Sequence, residues 1–569
     1  MVKPESLKDL DMEEKEKLIL IEHDVERESL KKFKNLYSRA HVIYGLQPNE
    51  YSRTKFQYLR NKRFHTEAAD DYANYINKEL KEFYKRTNIK EMSILGYFEP
   101  HLNEPLFIFF LVRKIKELYP GYRIVMLTSS KVLEVLKDKY NFLKLDNVEV
   151  IYKFKFKSIL IPQNRIDFIL INMLNIVAFP FKLLIFKLKN KAGLLPEIDI
   201  LYLSGGLRYW TKQKNGQIFD FYYANSFYRI SSESLLKVWC LTPDITFDKN
   251  IVKYCMFKYI KIGTLFRIFY DSVNDFFKLL PYLKTVWMLT EKGFLKKIFF
   301  MKNLEIILNT FNPKAVIYYA EVYHSGKMKS LTSNGLNIDS YGFQHALDTY
   351  SHVTYKSLRL YKEIPELFPK YFFVYGTYSR NLFSNYGCPE DRMIEIGFDR
   401  IKLNNKVYGE IQRKKDKFKV LFIGQESWFN ELFERLYQKR HRFPIDKLFF
   451  RSHPGFSMNF NGKNFLNQYP DAALINSKTS NLDENIREVD CVIGCYSTSL
   501  LNAIHQRKIT VSWQPYGLED LLDLRYWGAQ IIGSLEDIDW NKKANPDNVI
   551  QEIKPKIDLV RFLEVKYGG

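Results

Sequence analysis

From about residue 90 onward, short apolar runs alternate with longer amphipathic segments, and most runs stop at glycine, serine, histidine or an acid. Segments 93–98, 123–127, 148–152, 198–203, 315–321, 338–345, 371–375 and 393–396 read as strands, with helices over 105–118 and 131–139. A charged stretch, Arg413-Lys414-Lys415-Asp416-Lys417, then reads as an exposed linker. The rhythm restarts with strands at 419–424, 447–450, 472–476, 490–494 and 509–512. Helices are expected at 428–439, at 483–488, from Ser499, and as one closing helix over 548–565. Strands joined through helices pair in parallel, so the chain is α/β with layered parallel sheets. The linker separates a domain over 91–412 from one over 418–569. Residues 5–40 are rich in Glu and Lys, with Leu18, Ile19, Ile21, Val25 and Leu30 at roughly helical intervals. They predict an N-terminal helical extension over 1–90, with a role in oligomerisation left open.

A length of 569 residues suits two domains plus additions, and 46% hydrophobic and 16% aromatic residues supply large cores. The formal net charge of +21 favours anionic partners. Neither zinc-finger spacing nor the glycine-aromatic pattern of an RNA-binding sheet is present, so nucleic acid is set aside in favour of phosphorylated small molecules or a membrane surface. Cysteines 240, 255, 388, 491 and 495 form no disulfide framework, and no ligand pair completes a metal site around Cys491 and Cys495. The opening Met1-Val2-Lys3-Pro4-Glu5 leads into charged sequence rather than an apolar signal segment, which points to a cytoplasmic location.

Residues 166–187 break the alternation. The stretch 168–181 is almost wholly apolar, but Asp167, Asn172, Asn175, Pro180 and Lys182 interrupt a span that needs about twenty apolar residues to cross a bilayer. With the flanking Lys187, Lys189 and Lys191, and the aromatic-basic stretch 257–302, it reads either as a membrane-surface helix or as a core helix.

The chemistry collects at strand ends. Phe449-Phe450 runs into Arg451-Ser452-His453-Pro454, and Val492-Ile493-Gly494 into Cys495-Tyr496-Ser497-Thr498-Ser499. In an open parallel sheet the carboxyl ends of strands are where anionic ligands bind, because loop backbone and helix N-termini converge there. An imidazole at His453 can donate to a phosphate oxygen, and Arg451, two residues earlier, lies on the same side of the strand. Ser497, Thr498 and Ser499 offer hydroxyls where a helix begins; they read equally as an ordinary N-cap, and both roles use the same unsatisfied donors. Glu321 and His345 end successive strands and are candidate bases, with Glu99 and His101 as a further acceptor-side pair.

Taken together these segments resemble the GT-B glycosyltransferases of bacterial surface polysaccharides. Arg451-Ser452-His453-Pro454 is similar to the His-Pro motif of capsule polymerases, Kdo transferases and CDP-glycerol glycerophosphotransferases, and Tyr496-Ser497-Thr498-Ser499 to the Ser/Thr motif that follows it. Tyr341-Gly342-Phe343-Gln344-His345 resembles their strand ending in Gln-His, with Ala346 where a glycine is usual. Asn385-Tyr386-Gly387-Cys388-Pro389-Glu390 with Glu395-Ile396-Gly397 resembles the segment closing the first domain. The resemblance spans roughly 315–530. It implies two Rossmann-like domains facing a cleft: an acceptor-side domain over 91–412 carrying membrane-associating helical insertions, and a donor-binding domain over 418–569. It also implies that Arg451, His453, Pro454, Ser497, Thr498 and Ser499 bind the donor. The expected activity is sugar transfer, without metal or resident cofactor, from a nucleotide-activated sugar to a glycan or glycolipid acceptor. The expected place is the inner face of the plasma membrane. A CDP-glycerol-type polyol-phosphate transferase and a non-catalytic assembly protein are the alternatives.

Overall fold

The computed structural model describes residues 18–23, 40–44, 67–68, 70–75, 77–78, 81, 104–118, 120–128, 148–152, 165–189, 197–204, 210–212, 218–220, 229–230, 234–242, 254–282, 294–319, 322, 324–344, 355–397, 416–424, 429–451, 465, 467–476, 480–495, 497, 499–514 and 524–568. The chain forms two compact units, one of Met1–Ala69, Glu104–Ile161 and Tyr516–Leu518, the other of Asp70–Asn103, Pro162–Pro515 and Glu519–Gly569.

The first unit holds strands β1 (Leu18–His23) and β2 (Ala40–Tyr44), helix α1 (Glu104–Leu118), and strands β3 (Arg123–Thr128) and β4 (Val148–Tyr152). They make a parallel sheet in the order β2-β1-β3-β4. This corrects the expected N-terminal helix: Leu18, Ile19 and Ile21 belong to a central strand bonded on both sides. An isolated apolar run such as Leu18-Ile19-Leu20-Ile21 fits a buried strand as well as a helix by periodicity, and pairing with β2 and β3 decides it. The expected strand 93–98 and helix 131–139 lie outside the described residues.

The second unit contains two parallel sheets; strands 123–127 and 148–152, expected in the first of them, belong instead to the sheet of the other unit. Helix α2 (Arg165–Lys189) precedes β5 (Ile200–Leu203), a small antiparallel hairpin β6 (Trp210–Lys212) and β7 (Ile218–Asp220), then β8 (Val238–Thr242) and β9 (Tyr254–Cys255). Helices α3 (Ile262–Leu279) and α4 (Phe294–Phe311) follow, then β10 (Ala315–Tyr319), α5 (His324–Gly335), β11 (Asp339–Phe343), β12 (Tyr371–Val374), α6 (Thr377–Asn385) and β13 (Met393–Glu395). The order β13-β12-β11-β10-β5-β8-β9 reverses between β5 and β10, the topological switch point of a doubly wound sheet. Strands β5 and β10 are buried at every position, because helices cover both faces.

The other sheet is built from β14 (Phe418–Ile423), α7 (Phe429–Lys439), β15 (Ile445–Arg451), β16 (Ala472–Ile475), α8 (Leu482–Arg487), β17 (Cys491–Gly494), α9 (Ser499–His505), β18 (Ile509–Trp513) and β19 (Gln530–Ile532). Its order, β16-β15-β14-β17-β18-β19, has its switch point between β14 and β17. One face packs Leu421, Ile423 and Val492 against Leu500, Ile504 and Trp527. The other stacks Phe422 and Phe450 against Phe433 of α7 and Phe465. Each such fully buried ring contributes roughly 2–3 kcal/mol.

The C-terminus differs from the single closing helix expected. It forms α10 (Asp547–Ile553) and α11 (Leu559–Tyr567), because Pro555 drives Lys554 into an extended conformation with ψ 117. Helix α11 serves the seven-stranded sheet: Leu559, Val560, Leu563 and Tyr567 join the core of Tyr202, Ile317, Tyr341 and Phe373. Glu552 of α10 accepts from the backbone N–H groups of Tyr378 and Ser379 at 2.9 and 3.0 Å, tying α10 to the first turn of α6. The division at residue 90 is also overstepped, since Asp70 accepts from Lys356 at 2.7 Å and Arg359 at 2.8 Å within the second unit. Among the described residues, no helix is long and apolar enough to cross a membrane.

Candidate functional site

Strand β14 lies between the two strands that carry the motifs, paired with β15 on one side and β17 on the other. The carboxyl ends of β15 and β17 are therefore about 10 Å apart, two strand spacings, on either side of the switch-point strand. The backbone N–H of Gly424, just past β14, donates to the Arg451 carbonyl at 2.9 Å and ties the end of β14 to that of β15.

Arg451, the last residue of β15, is 6% exposed. Its Nη1 donates to Ser480 Oγ and to Asn485 Oδ1 at 2.7 Å, and its Nη2 to the Ser480 carbonyl at 3.1 Å. Burial pushes its pKa down to about 10, opposed by the Asp483 charge, so the guanidinium remains a cation at neutral pH. The side chain thereby anchors the entry to α8 against the end of β15. His453 and Pro454 lie outside the described residues.

At the end of β17, Ser497 is buried and its Oγ accepts from the backbone N–H of Ser499 at 3.2 Å, while its carbonyl accepts from Leu500 N at 2.9 Å. This is the capping geometry that opens α9. Gly494 allows the close return of that helix, because a Cβ there would meet Leu500 Cδ2 at 3.3 Å. Ser499 is half-buried, and Thr498 lies outside the described residues.

A polar group that the sequence reading missed joins helices α8 and α9, which follow β16 and β17. Asp483, in the first turn of α8, accepts from Asn502 Nδ2 of α9 at 2.8 Å and from Gln506 Nε2 at 3.4 Å. Burial pushes its carboxyl pKa up, against the Asn502 hydrogen bond and the charges of His505 and Arg487. Asn481 caps α8 by accepting from Asp483 N at 2.8 Å. The Asn481-Leu482-Asp483-Glu484 start is a readable helix-initiation signal, whereas the link from Asp483 to Asn502 is a tertiary contact.

At the seven-stranded switch point, Lys329 of α5 is buried and donates to the Leu203 carbonyl at the end of β5 at 3.1 Å. Its ammonium lies 5.6 and 5.5 Å from the rings of Tyr318 and Tyr319. Lys327, also buried, donates to the Val322 carbonyl at 2.5 Å. Glu321 and His345 lie outside the described residues, as do Glu99 and His101. The strands that precede the first two, β10 and β11, are paired in register with Tyr319 opposite Phe343. Gln344 of the Gln-His pair is held in place: its Oε1 accepts from Tyr375 N at 3.0 Å and its carbonyl from Tyr375 OH at 2.9 Å. Among the described residues, Cys240, Cys388, Cys491 and Cys495 are buried and form no disulfide, and no group of three or more His, Cys, Asp or Glu is placed to hold a metal ion.

No protein-family model and no curated protein matches the chain. Among solved structures, it resembles MnaA of S. aureus with UDP, at 10% identity and a TM-score of 0.39 over 65% of this chain and 96% of that one. It also resembles the wall teichoic acid polymerase TagF, at 12% identity and a TM-score of 0.38 over 72% and 97%. The glycosyltransferase SnogD from Streptomyces nogalater aligns at 10% identity and a TM-score of 0.34 over 66% and 96%. Likeness at this level carries no information about chemistry.

Proposed function

We propose that the chain is a glycosyltransferase that moves a sugar from a nucleotide-activated donor to a glycan or glycolipid acceptor of a bacterial surface polysaccharide. The observation that carries this reading is the position of the two motif-bearing strands, β15 and β17, directly on either side of the switch-point strand β14. In doubly wound sheets that crevice takes the phosphates of a nucleotide. In this reading His453, Ser497, Thr498 and Ser499 hold the donor phosphates, with Pro454 shaping the turn. Arg451, already bonded to Ser480 and Asn485, positions the segment around them. Glu321 or His345 accepts the proton of the attacking hydroxyl, and hydrogen-bond donors rather than a metal stabilise the leaving nucleotide. In this reading the nucleotide-activated donors are cytoplasmic, and a lipid-linked acceptor brings the enzyme to the inner face of the plasma membrane.

The experiment is a screen of purified protein against radiolabelled CMP-, CDP-, UDP- and GDP-activated donors with membrane extract as acceptor. Incorporation of label from one nucleotide sugar, lost in His453→Ala, supports the reading. Incorporation from CDP-glycerol alone replaces it with polyol-phosphate transfer. Binding of a nucleotide without incorporation from any donor replaces it with a non-catalytic role.

A further inference from the structure

Strand β18 carries a row of polar side chains into the core of the six-stranded sheet. A parallel strand covered on both faces normally reads as a continuous apolar run. Here Ile509-Thr510-Val511-Ser512-Trp513-Gln514 alternates apolar with polar, the pattern of a strand with one face in water, yet all six residues are buried. Thr510, Ser512 and Gln514 share one face, and a buried polar group is costly without a hydrogen-bond partner. Thr510 is served locally, its Oγ1 donating to the Lys508 carbonyl at 3.2 Å. The other two reach across to β17. Gln514 Nε2 donates to Ser512 Oγ at 2.9 Å, and Ser512 Oγ donates to the carbonyl of Cys495, the residue that follows β17. The backbone N–H of Gln514 donates to the Ile532 carbonyl at 2.8 Å, which fixes the far end of this relay to β19.

The relay acts where the ladder between β17 and β18 ends. Its last registered pair is Gly494 with Ser512. Beyond that pair the Ser512 side chain takes the Cys495 carbonyl, at the point where the chain leaves β17 for the cap of α9. A peptide group is planar and trans, which sets its C=O and N–H in opposite directions. Strand β17 lies between β18 and β14, so a carbonyl drawn toward β18 turns the N–H of the same peptide toward β14. That side is the switch-point crevice. Because Ser512 accepts from Gln514, its own proton is committed to Cys495, and each bond polarises the next.

We propose that Ser512 and Gln514 are positioning residues of the donor site. They hold the Cys495 carbonyl so that the segment leading to Ser499 presents its N–H groups and hydroxyls to a nucleotide's phosphates, and neither side chain touches the ligand itself. The proposal rests on the reading that the crevice beside β14 binds a nucleotide.

Calorimetry of the full chain with UDP, CDP, GDP and CMP, and with the matching nucleosides, tests it at a temperature below every variant's melting midpoint. Wild type binds one of the nucleotides. Ser512→Ala lowers that affinity about tenfold, and Gln514→Leu, which acts only through Ser512, about threefold. The double variant binds no more weakly than Ser512→Ala, as expected of two residues in series. Affinity for the nucleoside, which carries no phosphate, is unchanged in all three. Thr510→Val, in the same buried row but bonded only to Lys508, keeps both affinities at the wild-type level whatever it does to stability. Ser512 and Gln514 variants that bind the nucleotide like wild type overturn the proposal and leave the row to packing alone. Equal losses for nucleotide and nucleoside, or a loss of the same size in Thr510→Val, also overturn it, by showing a general loosening of the sheet. Wild type that binds none of the four nucleotides overturns the donor-site reading itself, and this proposal with it.

Discussion

The seven- and six-stranded sheets of the second unit share one winding, yet their switch points are furnished differently. Beside β14, the buried Arg451 at the end of β15 bonds to Ser480 and Asn485 at the entry to α8, and the Asp483 carboxylate of α8 bonds to Asn502 of α9, the helix that Ser497 caps. Where β5 meets β10, buried Lys329 reaches a backbone carbonyl and lies near two tyrosine rings. The first arrangement fixes a set of short polar groups around two loop entries. The second places a cation beside strand ends. Identical topology therefore offers two crevices with different chemistry, and an account of function has to come from the residues at each one.

The largest expected effect tests whether both switch points depend equally on their buried cation. Arg451→Met leaves Ser480 and Asn485 without their donor and lowers stability by about 3 kcal/mol. Lys329→Met removes the hydrogen bond to the Leu203 carbonyl and lowers it by about 1–2 kcal/mol. Urea denaturation of both variants decides; equal losses would remove the distinction.

His453→Ala is expected to weaken donor binding and lower transfer about 100-fold while leaving the melting temperature unchanged. Calorimetry with the donor identified by the screen checks this, and undiminished affinity would move donor binding away from the six-stranded sheet. A smaller effect is expected from Ser497→Ala, which loses the cap of α9 at about 1 kcal/mol. If its thermal stability falls while nucleotide affinity stays at the wild-type level, the serine is a cap alone.

The pH dependence of stability sharpens the contrast further. Burial pushes Asp339 of the seven-stranded sheet up, but hydrogen bonds from Lys370 and Tyr567 and the Lys566 charge outweigh it and hold the carboxyl below its ordinary 3.8. A depressed folded pKa contributes stability that is present above 3.8 and lost as the pH falls through the folded value. Asp339→Asn is therefore less stable than wild type at neutral pH, and the gap closes in acid. Asp483 is raised by burial, so it binds its proton more tightly folded than unfolded, and wild type loses stability as the pH rises from 3.8 through the raised value. Asp483→Asn, which keeps an acceptor for Asn502, gains on wild type over that interval. Denaturation midpoints of the two variants between acid and neutral pH should diverge in opposite directions, and parallel curves would contradict both assignments.

Much of this architecture was legible because a strand buried on both faces has to be apolar along its length. Phe418–Ile423, Cys491–Gly494 and Ala315–Tyr319 announce themselves, and the polar groups that interrupt them mark their carboxyl ends. The helix starts at Ser499 and near Asn481 were readable for the same kind of local reason, an N-cap next to its own backbone. Partnership over long sequence separation was not. Leu18–His23 became a strand because β2 and β3 flank it, not because its own periodicity required it. Arg451 spends its hydrogen bonds on residues 29 and 34 positions later, and Asp483 on one 19 positions later. The apolar residues of α2 carry no local mark separating Phe168, which is buried, from Leu170, which is exposed. Burial is a property of what packs alongside, so α3 and α4 decided which side of that helix faces inward and which remained open.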